Sequence, residues 1–118
     1  MALHNLLGQE GERLAAAFLE ANGFSVIASN WRHRHYEIDI VAIKENVLHC
    51  VEVKTRHSTR FGYPEDGVSR KKFSNLKIAA EQFMHQYRID RRLQFDILAI
   101  SLQAGQEAAY FFIEDVYL

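Results

Sequence analysis

The sequence predicts an α/β fold, a mixed sheet flanked by helices, on three observations. Two segments carry apolar residues mostly at spacings of three and four, the period of an amphipathic helix. Several short runs rich in β-branched and aromatic residues are bounded by turn residues, as strands are. In chain order these segments read α-β-β-β-α-β-β, and each amphipathic helix needs a sheet face to cover.

The first helix is expected over residues 5–22. Leu7, Gly11, Leu14, Ala15, Phe18 and Leu19 form its apolar stripe, and Asn22-Gly23 ends it, Gly23 suiting the left-handed position after a helix. Strands follow over 24–30, 35–43 and 47–55. Only Glu45-Asn46 separates the second strand from the third, which implies an antiparallel hairpin. Residues 57–67 read as a polar loop holding Gly62, Pro64 and Gly67. The second helix is expected over 68–87, with Leu76, Ala79, Ala80, Phe83 and Tyr87 as its stripe and Arg70, Lys71, Lys72 and Lys77 mainly elsewhere on its surface. Strands over 93–102 and 109–114 close the chain, with Ala104-Gly105-Gln106 between them.

A chain of 118 residues is expected to form a single domain, 1–118. No apolar run approaches the ~20 residues that span a bilayer, and the start does not read as a signal peptide. Cys50 is the only cysteine, so no disulfide forms within the chain. A cytoplasmic location is the expectation. The net charge of −1 argues against coating nucleic acid by bulk charge. Its distribution is uneven: residues 54–92 carry 10 Lys and Arg against 4 Asp and Glu, while the segments on either side are net acidic. Such asymmetry marks either a phosphate-binding face or a solvated helix face and basic loop.

The chemistry concentrates on the third strand. Glu52 and Lys54 are two residues apart and project from one face, while Val51 and Val53 point the other way. Charges in an apolar strand are costly to bury unless paired or bound to a metal. On the preceding strand Glu37 and Asp39 are expected to share a face, with Ile38 and Ile40 on the other. Pairing across the hairpin would bring a carboxylate from each strand within reach of one ion. Mg²⁺ binds through one or two carboxylates, water and phosphate oxygens, so Asp39, Glu52 and the backbone carbonyl of Val53 are the candidate ligands. Such an ion lowers the pKa of a bound water and neutralises charge on a phosphate. Lys54 is placed to orient that water or to stabilise the transition state. The competing reading is a salt bridge within the sheet between Lys54 and a carboxylate.

Taken together, the ordered motifs resemble the YraN family, the uncharacterised UPF0102 group, itself related to the Holliday junction resolvase-like branch of the PD-(D/E)xK nucleases. The resemblance rests on Gly8-x-x-Gly11-Glu12, Asn30-Trp31-Arg32, Glu37-Ile38-Asp39, Val51-Glu52-Val53-Lys54-Thr55-Arg56, Phe61-Gly62-x-Pro64 followed by Lys71 or Lys72, and Phe95-Asp96. Tyr36 stands where the family usually has Gly, Cys50 where an aromatic is common, and Gln94 where Arg often precedes Phe-Asp. The resemblance implies a restriction-endonuclease-like three-layer α/β domain. It makes Asp39 and Glu52 metal-binding acids, Lys54 the catalytic lysine, and Glu12 a helix carboxylate joining the catalytic set. From the residues alone, Gly8 and Gly11 would let the helix approach the sheet and bring Glu12 to the site edge; the alternative is a solvated acid near the helix start.

The function expected is therefore a Mg²⁺-dependent DNA endonuclease or exonuclease, Mn²⁺ substituting, with selectivity for branched or flapped DNA. The alternative is a nucleic-acid-binding module of the same fold with little or no catalysis. Arg56, Arg60, Arg70, Lys71 and Lys72 are candidate phosphate contacts because they follow the site in sequence and flank the loop. A homodimer or protein partner would help so small a domain grip DNA. His33 and His35 lack a third ligand for zinc, Trp31 is expected to pack in the core rather than stack on a base, and Cys50 reads as a small core residue.

Overall fold

The computed structural model describes residues 3–56 and 70–116, with side chains from residue 8 onward. The expected loop, with Arg60, Phe61, Gly62, Pro64 and Gly67, lies outside the described residues. Helix α1 spans Leu3–Ala21, strands β1, β2 and β3 span Ser25–His33, Tyr36–Lys44 and Val47–Arg56, helix α2 spans Arg70–Gln86, and strands β4 and β5 span Arg92–Ser101 and Ala109–Ile113. The element order matches the expectation, and the boundaries agree to within three residues.

The five strands form one sheet in the order β1-β2-β3-β4-β5. β1 and β2, β2 and β3, and β4 and β5 pair antiparallel, while β3 and β4 run parallel across the α2 crossover. Glu45 and Asn46 both have positive φ, 50° and 66°, which suits a tight two-residue hairpin turn. Gly23, at φ 88°, ends α1 in the left-handed conformation.

Alternate residues of the central strands feed two cores. Ala15 and Leu19 of α1 pack with Ile40, Ala42, Val51, Leu98 and Ile100. Leu76, Ala79, Ala80 and Phe83 of α2 pack with Ile38, Val41, Leu48 and Cys50. Since Val41 and Ala42, and Cys50 and Val51, fall in opposite clusters, the helices cover opposite faces and the layers run α/β/α. Trp31 joins the α2-side core, edge-on to Phe83, as expected. Cys50 is fully buried, and burial pushes its thiol up to about 12, so it is inert packing. Tyr87 does not complete the α2 stripe: it is 51% exposed and leans on Phe83 from outside.

One expectation of strand parity fails. Ile38 packs under α2 and Ile40 under α1, although residues two apart in a regular strand share a face. The same break occurs on β1, where Ala28 and Trp31, three apart, both pack on the α2 side. Between them Asn30 adopts φ 52°. The flanking pairs Ser29↔Ile40 and Trp31↔Ile38 set Asn30 opposite Asp39. Both strands therefore turn over together at Asn30 and Asp39, and Glu37 and Asp39 do not lie along one regular strand face.

Candidate active site

The break in β2 lies where the sheet opens. The β2–β3 ladder runs from Lys44↔Val47 to Ile40↔Val51. One step further, the Asp39 carboxylate accepts the Val53 backbone N–H at 2.9 Å. Asp39 is thereby fixed against β3 beside Glu52, in the opening between the strands.

Glu52 and Lys54 project from β3 on the α2 side, since Leu48 and Cys50 of the same parity pack under that helix. The Lys54 Nζ stands 3.7 Å from Glu52 Oε1. Lys72, from the first turn of α2, forms an ion pair with the same Glu52 oxygen. The Glu52 side chain is only 12% exposed, so this is a partly desolvated cluster rather than a surface pair. Lys72 thus lies inside the site and not elsewhere on the helix surface. Its position four residues before Leu76 continues the 76-79-83 stripe towards the sheet.

The electrostatics follow from this crowding. Burial, then the neighbouring Glu52 charge, raises the Asp39 carboxyl from its ordinary 3.8 to about 7; the Val53 amide and Lys72 oppose the shift, and Glu12 adds to it. Burial and the adjacent Lys72 push the Lys54 ammonium down. Burial also works against the Lys72 charge, but pairing with Glu52 outweighs it and its pKa is raised. The two lysines are therefore unequal: Lys72 keeps its proton more firmly, and Lys54 gives one up more readily.

Glu12 reaches this region from the other side of the sheet. Helix α1 crosses β3 so closely that a Cβ on Gly11 would stand 2.0 Å from Thr55 Oγ1. Glu12 accepts a hydrogen bond from Asn30 Nδ2 at 2.6 Å, and its charge is felt at Asp39. The close approach read from Gly11 is present, and Glu12 is not simply a solvated acid.

Among the described residues no three His, Cys, Asp or Glu side chains form a metal cage. Asp39 and Glu52 are the two carboxylates on hand, held where burial and mutual repulsion favour a cation between them. A donor set of two acids completed by water and phosphate suits Mg²⁺ and does not suit a closed zinc site. A recess of 130 Å³ lined by His35, Tyr36, Glu37, Glu52, Lys72, Asn75 and Leu76 opens beside the cluster. Glu37 is turned to the rim and pairs with Arg32 at 3.1 Å. Of the remaining candidate phosphate contacts, Arg70 and Lys71 are exposed at the start of α2, and Arg56 is half-buried at the end of β3.

A second polar pair escaped sequence reading. His49 Nδ1 and Asp96 Oδ2 lie 2.7 Å apart, with their side chains 6% and 0% exposed. Asp96 also accepts from Gln94 Nε2 at 2.9 Å and from the Asp115 backbone N–H at 2.8 Å. A histidine and an aspartate each embedded in an apolar strand, both needing a partner, were the available signal.

The family model described as "Uncharacterised protein family UPF0102" matches residues 11–100, which contain every site residue described above. The chain belongs to this family. It is 46% identical over 105 residues to a UPF0102 protein of Bacteroides thetaiotaomicron, covering 89% of this chain and 87% of that one. A UPF0102 protein of Flavobacterium psychrophilum is 44% identical over 85% of this chain and 84% of its own length. A third, from Parabacteroides distasonis, is 42% identical over 85% and 83%. The resemblance to the YraN family is thereby established, since YraN and UPF0102 are one family. Among the described residues no helix is long and apolar enough to cross a membrane.

Proposed function

We propose that this UPF0102 protein is a metal-dependent DNA nuclease of the restriction-endonuclease-like fold, acting on phosphodiester bonds at the Asp39–Glu52–Lys54 cluster. The observation that carries the reading is the placement of Asp39. Its carboxylate is held by the Val53 amide at the opening between β2 and β3, beside Glu52, with Lys54 3.7 Å from that acid. Asp39 and Glu52, with the Val53 carbonyl, would hold Mg²⁺ or Mn²⁺. The bound ion supplies charge neutralisation at the phosphate and acidifies a water molecule. Lys54, whose ammonium burial and Lys72 push down, would orient the attacking water. Lys72 keeps its charge and stabilises the negative phosphoryl oxygens. Arg56, Arg70 and Lys71 hold flanking phosphates, and Arg60 belongs with them by sequence. The recess beside Tyr36 gives the substrate an approach, and branched or flapped DNA is the substrate class put forward.

One observation favours the binding-module alternative. Lys54 and Lys72 both stand at Glu52, so that acid already has cationic partners without an ion. The deciding experiment incubates the protein with linear, flapped and four-way DNA, with and without Mg²⁺ or Mn²⁺. Metal-dependent cleavage that is lost in Glu52→Ala supports the enzyme. Binding without cleavage supports the module, and neither binding nor cleavage of any DNA overturns both.

A further inference from the structure

We propose that Asn30 is a positioning residue that holds the Glu12 carboxylate at the edge of the Asp39–Glu52 site. The proposal rests on the metal-site reading above and extends it to a residue that would touch neither metal nor substrate.

Three observations converge on Asn30. Its Nδ2 donates to Glu12 Oε2 at 2.6 Å, linking β1 to α1 across eighteen positions of sequence. It adopts φ 52°, a conformation that asparagine tolerates better than most side chains. It faces Asp39 where β1 and β2 turn over together. Regular parity with Ala28 would direct the Asn30 side chain towards α2; the turnover sends it to the α1 side, where Glu12 stands. One residue thus sets both the strand reversal opposite Asp39 and the orientation of the helix acid.

Charge explains the need for such a hold. Glu12 is a third carboxylate whose charge is felt at Asp39, and repulsion favours its swinging out to water. The Asn30 amide is a neutral donor, so it restrains Glu12 without cancelling its charge. A lysine there would neutralise the acid, and a hydrophobic residue would release it. With a divalent ion between the acids, the restrained Glu12 adds long-range attraction for the ion or accepts a hydrogen bond from one of its waters.

The test is a calorimetric Mn²⁺ titration of the full chain as wild type, Asp39→Ala, Glu12→Gln, Asn30→Gly and the Glu12→Gln/Asn30→Gly double variant. Glycine tolerates the left-handed backbone and removes the side chain that carries the amide. The expected result is about a tenfold weakening in Asn30→Gly with an unchanged melting temperature, and a double variant no weaker than Glu12→Gln alone. Wild-type affinity in Asn30→Gly, or losses that add in the double variant, would overturn the proposal. An Asp39→Ala variant that binds Mn²⁺ like wild type overturns the metal site itself. Loss of binding in Asp39→Ala together with wild-type binding in Asn30→Gly overturns only the positioning role. A second readout needs no Asn30 variant. In the wild-type spectrum the Asn30 side-chain amide signals should broaden at substoichiometric Mn²⁺, and their persistence in a chain that binds Mn²⁺ contradicts the proposal.

Discussion

The Asp39 carboxylate accepts the Val53 amide at 2.9 Å, one step beyond the last paired position of β2 and β3. That bond fixes an acid beside Glu52 in a partly buried opening, where burial and then the Glu52 charge raise the Asp39 pKa to about 7 against the opposing pull of the Val53 amide. An acid whose pKa is higher folded than unfolded stabilises the fold while protonated, so its contribution is lost as pH rises from about 4 to about 7. Asp39→Asn should therefore raise the stability of the metal-free chain at pH 8 by about 1–3 kcal/mol and leave it nearly unchanged at pH 3.5. Urea denaturation at the two pH values checks this. Mg²⁺ affinity should rise with pH through the same range, because the ion competes with the Asp39 proton.

Lys72 occupies a Glu52 oxygen that a metal ion would need. Replacing it with methionine removes a competing cation. The expected outcome for Lys72→Met is Mn²⁺ affinity several-fold tighter than wild type, about 1 kcal/mol, alongside weaker DNA binding. Calorimetry and a filter-binding assay would separate the two effects. Weaker Mn²⁺ binding in this variant would show that Lys72 supports the ion rather than competes with it.

Gly11 and Thr55 mark a close approach of α1 to the sheet. A Cβ at residue 11 would meet Thr55 Oγ1 at 2.0 Å and Thr55 Cβ at 3.0 Å. Gly11→Ala should cost about 1–3 kcal/mol and displace Glu12 from the site. Adding Thr55→Ala removes the worst of the overlap, so the double variant should be more stable than the sum of the single changes predicts. Additive losses in thermal denaturation would contradict the tight crossing.

Asp96 collects His49, Gln94 and the Asp115 amide in a nearly solvent-free position. Asp96→Ala strips three donors of their acceptor at once and should destabilise the chain by about 3–5 kcal/mol. Faster amide exchange at Asp115 should accompany the loss. A variant as stable as wild type would mean that the pair is not a structural tie.

The element order was legible because helical and strand periods alternate cleanly along the chain. The Glu52 and Lys54 face was legible because β3 is regular, with Cys50 and Val51 on opposite cores as parity requires. Parity misled at β2, since nothing local to Glu37-Ile38-Asp39 announces the turnover; its companion lies on another strand, at Asn30. Lys72 was misplaced for a different reason. Three basic residues in a row suggest a solvated face, yet only Lys72 continues the Leu76, Ala79 and Phe83 stripe. The His49–Asp96 pair needed the parallel register of β3 and β4, which no local sequence signal specifies.

The most direct measurement of the central claim is single-turnover cleavage of one end-labelled flapped DNA in Mg²⁺, comparing wild type with Glu52→Gln purified identically. Glu52→Gln keeps the shape of the side chain and removes its charge. A nuclease site at Asp39, Glu52 and Lys54 predicts cleavage by wild type and a loss of about a hundredfold or more in the variant. Equal rates in the two proteins, or no cleavage by a wild type that binds the DNA, would contradict it.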